Sequence, residues 1–181
     1  LAENAIVDDA VAQAIREYVK AGGKLLAFGN ASRLDSQGNL RAGFALSDVF
    51  GATLAGELPG YKRLRLNPAS GLSAQIRVNP GALLVKPTTA RVLAQWDSTA
   101  GAPAILENRY GKGSVIYVTA DEVSCVQSKP FLEELAGRLI GAPVVHVHGN
   151  RQYAMLMNRR GNDLLLYLFN RSTGSRAYTE S

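Results

Sequence analysis

Two adjacent carboxylates, Asp121 and Glu122, are the residues of this sequence best suited to chemistry. They follow an apolar segment that favours a strand, and two polar residues, Asn30 and Ser32, follow another such segment. Open α/β sheets bind ligands beyond the carboxyl ends of their strands. The sequence therefore predicts a ligand crevice formed by Asn30, Ser32, Asp121 and Glu122.

A pair of carboxylates can cleave a glycosidic bond when one acts as an acid and the other as a base or nucleophile, a few ångströms apart. Adjacent residues rarely direct both side chains into one cleft, and acidic residues also suit the positive start of a helix. We therefore interpret Asp121 and Glu122 as non-catalytic, and we predict no catalytic residue in this segment.

The single cysteine and the two histidines lack the surroundings that catalysis or metal binding requires. Cys125 has no Gly-x-Cys-x-Gly turn that would expose a nucleophile, so we expect a small buried or loop thiol. His146 and His148 would share one face of a strand, but no other cysteine, histidine or nearby carboxylate joins them. We predict no metal site and no cofactor.

The motif Gly111-Lys112-Gly113 lies between two apolar segments. A phosphate-binding loop would need an earlier glycine where this chain has Leu106, and Ser or Thr directly after the lysine. The motif therefore predicts the tight turn of a β-hairpin with a solvated lysine.

The stretch that begins at Asp8 supplies the elements that position the crevice. Helical spacing predicts an amphipathic helix that Asp8 or Asp9 can cap and that the pair Gly22-Gly23 can end. The predicted apolar face consists of Val7, Val11, Ala14, Ile15, Tyr18 and Val19. The apolar segment Lys24–Phe28 then predicts an interior strand of a parallel sheet, covered on both faces.

The middle of the chain changes to a two-residue period. Four short strands are predicted between Tyr61 and Trp96, and we interpret them as a β-rich insertion between α/β elements. These strands are Lys62–Leu66, Ser73–Val78, Ala82–Lys86 and Arg91–Trp96.

The last part of the chain predicts a helix and then a hairpin. Ser128 would cap the helix and Gly141 would end it. Its apolar side would be Phe131, Leu132, Leu135, Leu139 and Ile140. Val144–Val147 is strand-like, and the segments Gln152–Asn158 and Leu164–Asn170 predict a closing hairpin. Because an isolated hairpin is marginal in water, we expect it to start a larger β domain.

Composition narrows the possible functions. With 181 residues, 46% of them apolar, the chain can bury the core of one domain and part of another. No apolar run approaches the length of a membrane span, and the net charge of +5 is scattered without a recognition motif. We predict neither a membrane nor a nucleic acid as a partner. Cytoplasmic, periplasmic and secreted locations all stay open.

Three motifs follow one another in a recognisable order. They are Ile15-Arg-Glu-Tyr18-Val-Lys-Ala-Gly22-Gly23-Lys-Leu-Leu-Ala, then Leu46-Ser-Asp-Val-Phe50-Gly51, then Pro103-Ala-Ile-Leu with Tyr110-Gly111-Lys112-Gly113 and Ile116-Tyr117-Val118. The set resembles the class I glutamine amidotransferase-like domain of large glycoside hydrolases, the type known as the beta-galactosidase trimerisation domain. The resemblance covers residues 5 to 142.

The resemblance implies a flavodoxin-like three-layer α/β sandwich with a parallel sheet, incomplete at its N-terminus because the strands expected before Ala5 are missing. It implies a partial α/β domain at residues 1–142 and the start of a C-terminal β-sandwich domain at residues 143–181. Such domains are usually non-catalytic and pack against a barrel domain or another subunit. We expect this chain to be an excerpt from a longer polypeptide, whose barrel carries the catalytic carboxylates.

We favour a non-catalytic assembly and packing domain of a larger carbohydrate-active protein, a glycoside hydrolase. Its partners would be identical subunits or other domains of the parent chain, and it would meet carbohydrate only through that parent. The first alternative is a hydrolase or amidotransferase-type enzyme that uses the crevice near Asn30 and Asp121. The second is a sugar-binding module, which would need exposed aromatic side chains where the chain offers only Trp96 and a few tyrosines.

Overall fold

The structure is a computed structural model, and it describes residues 1–66, 70–74, 76–78, 81–97, 101–121, 125, 128–141 and 153–170. Contacts divide the chain into two units, Leu1–Pro143 and Val144–Ser181. The described part of the second unit is a hairpin.

Short helices and strands make up the first unit. They are α1 (Asp9–Lys20), β1 (Lys24–Phe28), α2 (Ser47–Phe50), β2 (Ala52–Pro59), β3 (Lys62–Leu66), β4 (Arg77–Val78), β5 (Gly81–Pro87), β6 (Arg91–Trp96), β7 (Pro103–Tyr110), β8 (Gly113–Val118) and α3 (Lys129–Ile140). No helix in the described part of the chain combines the length and the apolar character needed to span a membrane.

Six of these strands form one mixed sheet in the order β1-β8-β7-β6-β3-β4. Only β1 and β8 run parallel, with Leu26 beside Ile116, and the other neighbours run antiparallel. β2 and β5 form a separate antiparallel pair. The described residues therefore form a mixed, sheet-rich fold with few helices, and the predicted flavodoxin-like parallel sheet is not confirmed.

The strand β1 has the predicted bounds and the predicted parallel partner, but it is not interior. It stands at the end of the strand order among the described residues. Leu25 and Leu26 are half-buried, whereas Ala27 and Phe28 are buried. An apolar run indicates that the two faces of a strand are covered, but it carries no information about the hydrogen-bonding edges of the strand. The sequence therefore could not distinguish a strand inside the sheet from one at its end.

Side-chain alternation along β8 directs two apolar clusters to opposite faces of the sheet. Ile116 and Val118 join the cluster that contains the buried residues of α3. Val115 and Tyr117 join the cluster that contains the buried residues of α1 and α2. On that second face, the ring of Phe50 stacks on Tyr117 with 4.7 Å between centroids. Helices thus cover both faces of the sheet at its β1–β8 end.

Helix α1 begins where the sequence predicts, and its buried face agrees with the predicted one in part. The side chain of Asp8 accepts a hydrogen bond from the Val11 amide at 2.8 Å, which confirms the cap. Ala12 and Val19 are buried, whereas Val11 and Tyr18 are 42% and 57% exposed. The predicted face is confirmed at Val7 and Val19, which are buried, and at Ile15, which packs against the same cluster. The spacing analysis left out Ala12 because it is small and carries little hydrophobic signal.

The predicted β-rich insertion is largely part of the main sheet. β3 and β6 have the predicted bounds, but β3, β4 and β6 extend the six-stranded sheet, and only the β2–β5 pair is separate. In the described residues the strand predicted at Ser73–Val78 is limited to Arg77–Val78. β2 was missed because a shift in register between Leu54 and Gly56 interrupts its two-residue period.

Helix α3 has the predicted bounds and buries Phe131, Leu135 and Leu139. Two details differ from the prediction. Ser128 occupies the cap position without a side-chain hydrogen bond to the helix, and Ile140 is 68% exposed. A residue at the last turn of a helix can project past the surface that the helix covers.

The second unit contains the predicted closing hairpin, formed by β9 (Tyr153–Arg160) and β10 (Asp163–Asn170). Large apolar side chains along both strands are 40–58% exposed; they are Met155, Leu156, Met157, Leu164, Leu165, Leu166, Tyr167, Leu168 and Phe169. Because neighbouring residues of a strand face opposite ways, both faces of this hairpin are apolar. The strand predicted at Val144–Val147 lies outside the described residues.

Candidate functional site

A cavity of about 340 Å³ lies at the carboxyl ends of β1 and β8, where the sequence predicts a ligand crevice. Asn30 and Asp121 both line it. The β2–β5 pair closes its other side, because the Leu83 amide donates a 2.7 Å hydrogen bond to the Thr119 carbonyl and Ala82 pairs with Ala120. Two of the four predicted crevice residues are therefore brought together.

Asn30 is held at both ends of its amide. Its Nδ2 donates to Glu3 Oε1 at 3.0 Å, and its Oδ1 accepts from Arg33 Nη1 at 2.6 Å. The turn beneath it is fixed by the Tyr117 hydroxyl, which donates to the Gly29 carbonyl at 2.7 Å. Asn30 therefore ties the N-terminal segment to the turn after β1 through both its amide nitrogen and its amide oxygen.

Ser32 is not part of the cavity, contrary to the prediction. Its side chain is fully buried, and its Oγ accepts a hydrogen bond from the Leu46 amide at 3.3 Å. Among the described residues it is the non-glycine residue with positive φ, at 66°. A positive φ turns the chain sharply after Asn30, and it directs Ser32 inward. Sequence spacing cannot reveal such a turn in a residue other than glycine.

The second predicted carboxylate, Glu122, lies outside the described residues, so the Asp121–Glu122 pair has no measured geometry. The carboxylates that do accompany Asp121 around the cavity are Glu3 and Glu57. They come from the N-terminal segment and from β2, far away along the chain, which is why local spacing did not identify them. Among the described residues, no group of His, Cys, Asp or Glu side chains is arranged to hold a metal ion.

Cys125 is fully buried in the apolar cluster that contains Phe131 and Leu135. This placement matches the expected buried thiol, since a cysteine in apolar surroundings is not activated as a nucleophile. His146 and His148 lie outside the described residues, so their prediction as ordinary strand residues has no structural test.

The Gly111-Lys112-Gly113 motif forms the predicted hairpin turn, with Tyr110 paired to Gly113 across β7 and β8. The turn also packs against the end of α1, because the Lys112 amide donates a 3.0 Å hydrogen bond to the Lys20 carbonyl. A Cβ atom on Gly113 would lie 2.1 Å from the Val19 carbonyl oxygen. The glycine is thus explained by close backbone packing against α1.

Two ion-pair clusters away from the cavity contain perturbed acids. Burial raises the pKa of Asp48, but hydrogen bonds from Arg16 and Tyr110 outweigh it and leave the pKa below its ordinary value. Asp48 thereby joins α1, α2 and β7. Its contacts are all with the chain itself, so we interpret this cluster as a structural link.

The second cluster is centred on Glu107 of β7. Burial raises its pKa, but hydrogen bonds from Arg138 at 2.7 Å and Arg91 at 2.6 Å outweigh it, and the pKa lies below its ordinary value. Arg138 also donates to the Ser70 carbonyl. These contacts fasten α3 to the sheet.

The described residues define a mixed, sheet-rich domain with a crevice that Glu3, Glu57 and Asp121 line. The sequence profile of the family described as the beta-galactosidase trimerisation domain matches residues 4–146. The match spans most of the chain, so this chain belongs to the beta-galactosidase trimerisation domain family. The predicted type of function, non-catalytic assembly, is confirmed. No curated protein matches the chain at a significant level.

Solved structures show the same fold. A beta-galactosidase from Rahnella sp. R3 has a TM-score of 0.73 at 21% identity, covering 93% of this chain and 26% of that one. A beta-galactosidase from Bacillus circulans sp. alkalophilus has a TM-score of 0.74 at 19% identity, again covering 93% and 26%. This chain therefore spans about a quarter of the length of these beta-galactosidases.

The fold also occurs with another activity. Alpha-L-fucosidase isoenzyme 2 from Paenibacillus thiaminolyticus has a TM-score of 0.69 at 16% identity, covering 97% of this chain and 31% of that one. Fold similarity alone therefore does not determine which sugar a larger protein would hydrolyse.

Proposed function

We propose that this chain is the assembly domain of a larger beta-galactosidase, in which it holds identical subunits together and takes no part in the chemistry. The observation that carries this proposal is the family match over residues 4–146. The galactosidase is preferred to the fucosidase because the match rests on sequence as well as on fold. Carbohydrate would then meet the parent protein through a separate catalytic domain.

The domain boundaries are part of the same proposal. Residues 1–142 would form the association domain, and residues 143–181 would begin a β domain. The division of contacts between Pro143 and Val144 supports this boundary. The two apolar faces of the β9–β10 hairpin also support it, since two strands cannot cover both of their own faces.

The glutamine amidotransferase-like and flavodoxin-like origin of the first unit is likewise a proposal. Its support is the parallel β1–β8 pair, which carries helices on both faces in the manner of a three-layer sandwich. Against it stands the rest of the sheet, which is antiparallel. We infer that only this end of the domain retains the three-layer arrangement.

A ligand crevice with enzymatic function is the second candidate, because Asn30 and Asp121 line one cavity. Asn30 is committed to Glu3 and Arg33, and Ser32 is buried elsewhere, so the remaining side chains offer carboxylates without a placed nucleophile. The third candidate, a sugar-binding module, has less support because the cavity has no aromatic side chain among its described lining residues.

The test compares the purified chain with the full-length protein from which it comes. We expect the chain to self-associate in sedimentation velocity and to hydrolyse neither aryl β-galactosides nor glutamine, whereas the full-length protein hydrolyses aryl β-galactosides. Turnover by the isolated chain that disappears in Asp121→Asn would overturn the non-catalytic proposal in favour of the crevice. A monomeric chain at all concentrations would contradict the assembly role.

A further inference from the structure

A second cavity, of about 180 Å³, lies at the amino ends of β1 and β8, on the face of the sheet that α3 covers. Its charged lining residues are Lys24, Glu107, Arg109 and Arg138. We call it the basic cavity, because three of these four side chains are cationic. Helix α1 packs on the opposite face of the sheet, where its buried residues belong to the other apolar cluster.

The pairing of three strands places an ammonium group, a hydroxyl group and a guanidinium group in a row. Ser114 of β8 lies beside Lys24 of β1 on one side and beside Arg109 of β7 on the other. Directly paired residues of neighbouring strands point to the same face. Ile116, two residues further along β8, packs in the cluster that contains α3, so Ser114 shares that face. Because neighbouring strands are only about 4.8 Å apart, one small ligand can reach side chains from all three.

The hydroxyl group of Ser114 has a hydrogen to offer a ligand. Lys24 Nζ donates a 3.1 Å hydrogen bond to Ser114 Oγ, and a hydroxyl that accepts a hydrogen bond keeps its own hydrogen to donate. The ammonium group of Lys24 has three N–H groups, of which this bond uses one. Ser114 is half-buried, whereas Lys24 and Arg109 are exposed. The row therefore presents charged N–H donors on both sides of a hydroxyl donor, which is the chemistry that recognises an oxyanion.

The positive charge of the basic cavity is only partly neutralised. Glu107 accepts hydrogen bonds from both Arg138 and Arg91, so one carboxylate is shared by two guanidinium groups. Within the part of the chain that the structure describes, neither Lys24 nor Arg109 belongs to an ion pair. Four cations and one carboxylate give this region a formal charge of +3. Arg138 also lies in the last turn of α3, where its charge offsets the partial negative charge of the helix end.

We propose that the basic cavity binds a small, doubly charged oxyanion, either free phosphate or sulfate or the phosphate group of a small organic ester. The volume of the cavity is several times the roughly 30 Å³ that a water molecule occupies in the liquid, so a tetrahedral anion has room. Such an anion has acceptor oxygens for Lys24, Ser114 and Arg109 together, whereas chloride is a single centre with one charge. A partly enclosed site of one sign also raises the local concentration of the opposite charge.

The first test measures phosphate binding by isothermal titration calorimetry, at an ionic strength held constant with sodium chloride. We expect the unaltered chain to bind phosphate saturably and Arg109→Gln to raise the dissociation constant about tenfold, because a charge-assisted hydrogen bond is lost. Lys112→Gln is the matched control, since it removes the same charge from an exposed residue outside the cavity lining. We expect Lys112→Gln to change the dissociation constant less than twofold.

Ser114→Ala tests the geometry without changing the charge. We expect it to raise the dissociation constant for phosphate about fivefold, because the hydroxyl donor is lost. A diffuse positive field would be unaffected by this substitution. Unfolding midpoints measured in chloride alone would show that each variant is folded.

Thermal unfolding gives a second readout, which does not depend on the heat of binding. At a phosphate concentration ten times the dissociation constant of the unaltered chain, we expect its unfolding midpoint to rise by about 3–5 °C and that of Arg109→Gln by about 1 °C. Phosphate also stabilises proteins because it is excluded from their surface, but that effect would be the same in both chains. The difference between the chains therefore measures the site.

The source of the anion is tested with glucose 6-phosphate in place of phosphate. Binding at least tenfold tighter than that of phosphate would identify an organic phosphate as the ligand. Equal or weaker binding would identify the free anion. Both results support an oxyanion site in the basic cavity.

Two results would overturn the proposal. The unaltered chain could bind no phosphate by either measurement, which would mean that the basic cavity is not an anion site. Equal losses of affinity in Arg109→Gln and Lys112→Gln, with Ser114→Ala unchanged, would mean that the charge of the chain attracts anions without a defined site. Neither result would affect the assembly function, which rests on the family match.

Discussion

The two ends of the parallel β1–β8 pair are built in opposite ways. At the amino end, the turn at Gly113 packs so closely on α1 that a single Cβ atom would meet the carbonyl oxygens of Val19 and Gly23 at 2.1 and 2.5 Å. At the carboxyl end, the corresponding space is a cavity of about 340 Å³. The ligand-binding end of an α/β sheet has thus been left open, while at the other end the turn packs directly against α1.

This difference shows that an open crevice need not be an active one. The crevice side chain of Asn30 uses its two hydrogen bonds to hold Glu3 and Arg33 in place. Asp48 and Glu107, two of the acids whose pKa values are lowered, lie in ion-pair clusters that join helices to the sheet. These ion pairs therefore stabilise the packing of the domain, as expected of an association domain.

The substitution Gly113→Ala should produce the largest effect, because it adds an atom at the tightly packed end. Backbone oxygens cannot move away cheaply, so we expect the free energy of unfolding to fall by about 3 kcal/mol. Denaturation followed by the fluorescence of Trp96 measures it, since this is the single tryptophan of the chain and it is buried in the first unit.

Gly137→Ala is the matched control. It lies within α3, and a Cβ atom there would have nothing within 4 Å. Replacing a helical glycine by alanine should raise stability by about 0.5–1 kcal/mol. Equal denaturation midpoints for Gly113→Ala and Gly137→Ala would show that the amino end is not tightly packed.

Features set by neighbouring residues could be predicted from the sequence. The Asp8 cap, the Gly111-Lys112 turn and the bounds of β1, β3 and β6 depend on side chains and backbone within a few positions. The same local information predicted that polar residues after two strands would meet at one crevice. Asn30 and Asp121 do line one cavity, because parallel neighbours end at the same edge of a sheet.

Features set by distant residues could not be predicted. The position of β1 at the end of the strand order depends on which segments supply the other strands, and the burial of Ser32 depends on a positive φ. Glu3 and Glu57 reach the cavity from separate parts of the chain. The burial of Ala12 on α1 was missed because this residue packs against residues that its own sequence neighbourhood does not contain.

The ion pairs of Glu107 should make a smaller, pH-dependent contribution. Its folded pKa is lowered, so its stabilisation is present above the unfolded value of 4.5 and is lost as the pH falls through the folded pKa. We expect Glu107→Gln to lower the free energy of unfolding by about 1–2 kcal/mol at pH 7. We also expect it to weaken the decline in stability below pH 4.5.

Glu133→Gln controls for the loss of a charge without the buried contacts. Glu133 pairs with Lys129 one helical turn away, and both side chains are more than 60% exposed. Such a pair contributes about 0.5 kcal/mol or less. Unfolding midpoints measured from pH 3 to pH 8 distinguish the two variants, because this range includes the ordinary carboxylate pKa of about 4. Identical acid profiles for Glu107→Gln and the unaltered chain would contradict the structural role of the cluster.

The smallest effects should come from the open end, and they test whether the cavity does anything beyond packing. Asn30→Ala removes the hydrogen bonds to Glu3 and Arg33, so we expect a loss of about 1 kcal/mol in the free energy of unfolding. Glu57→Gln alters an exposed carboxylate at the cavity and keeps the shape of the side chain. We expect it to change the free energy of unfolding by less than about 0.5 kcal/mol.

Neither substitution should alter self-association measured by sedimentation velocity, because we propose no subunit contact at the cavity. Glu57→Gln gives the more specific test, since it removes charge from the cavity without removing a hydrogen bond of Asn30. A tenfold loss of association in Glu57→Gln, with unchanged unfolding, would mean that a cationic group of a neighbouring subunit enters the cavity. The open end would then be a contact surface between subunits, and the two ends would differ in function as well as in packing.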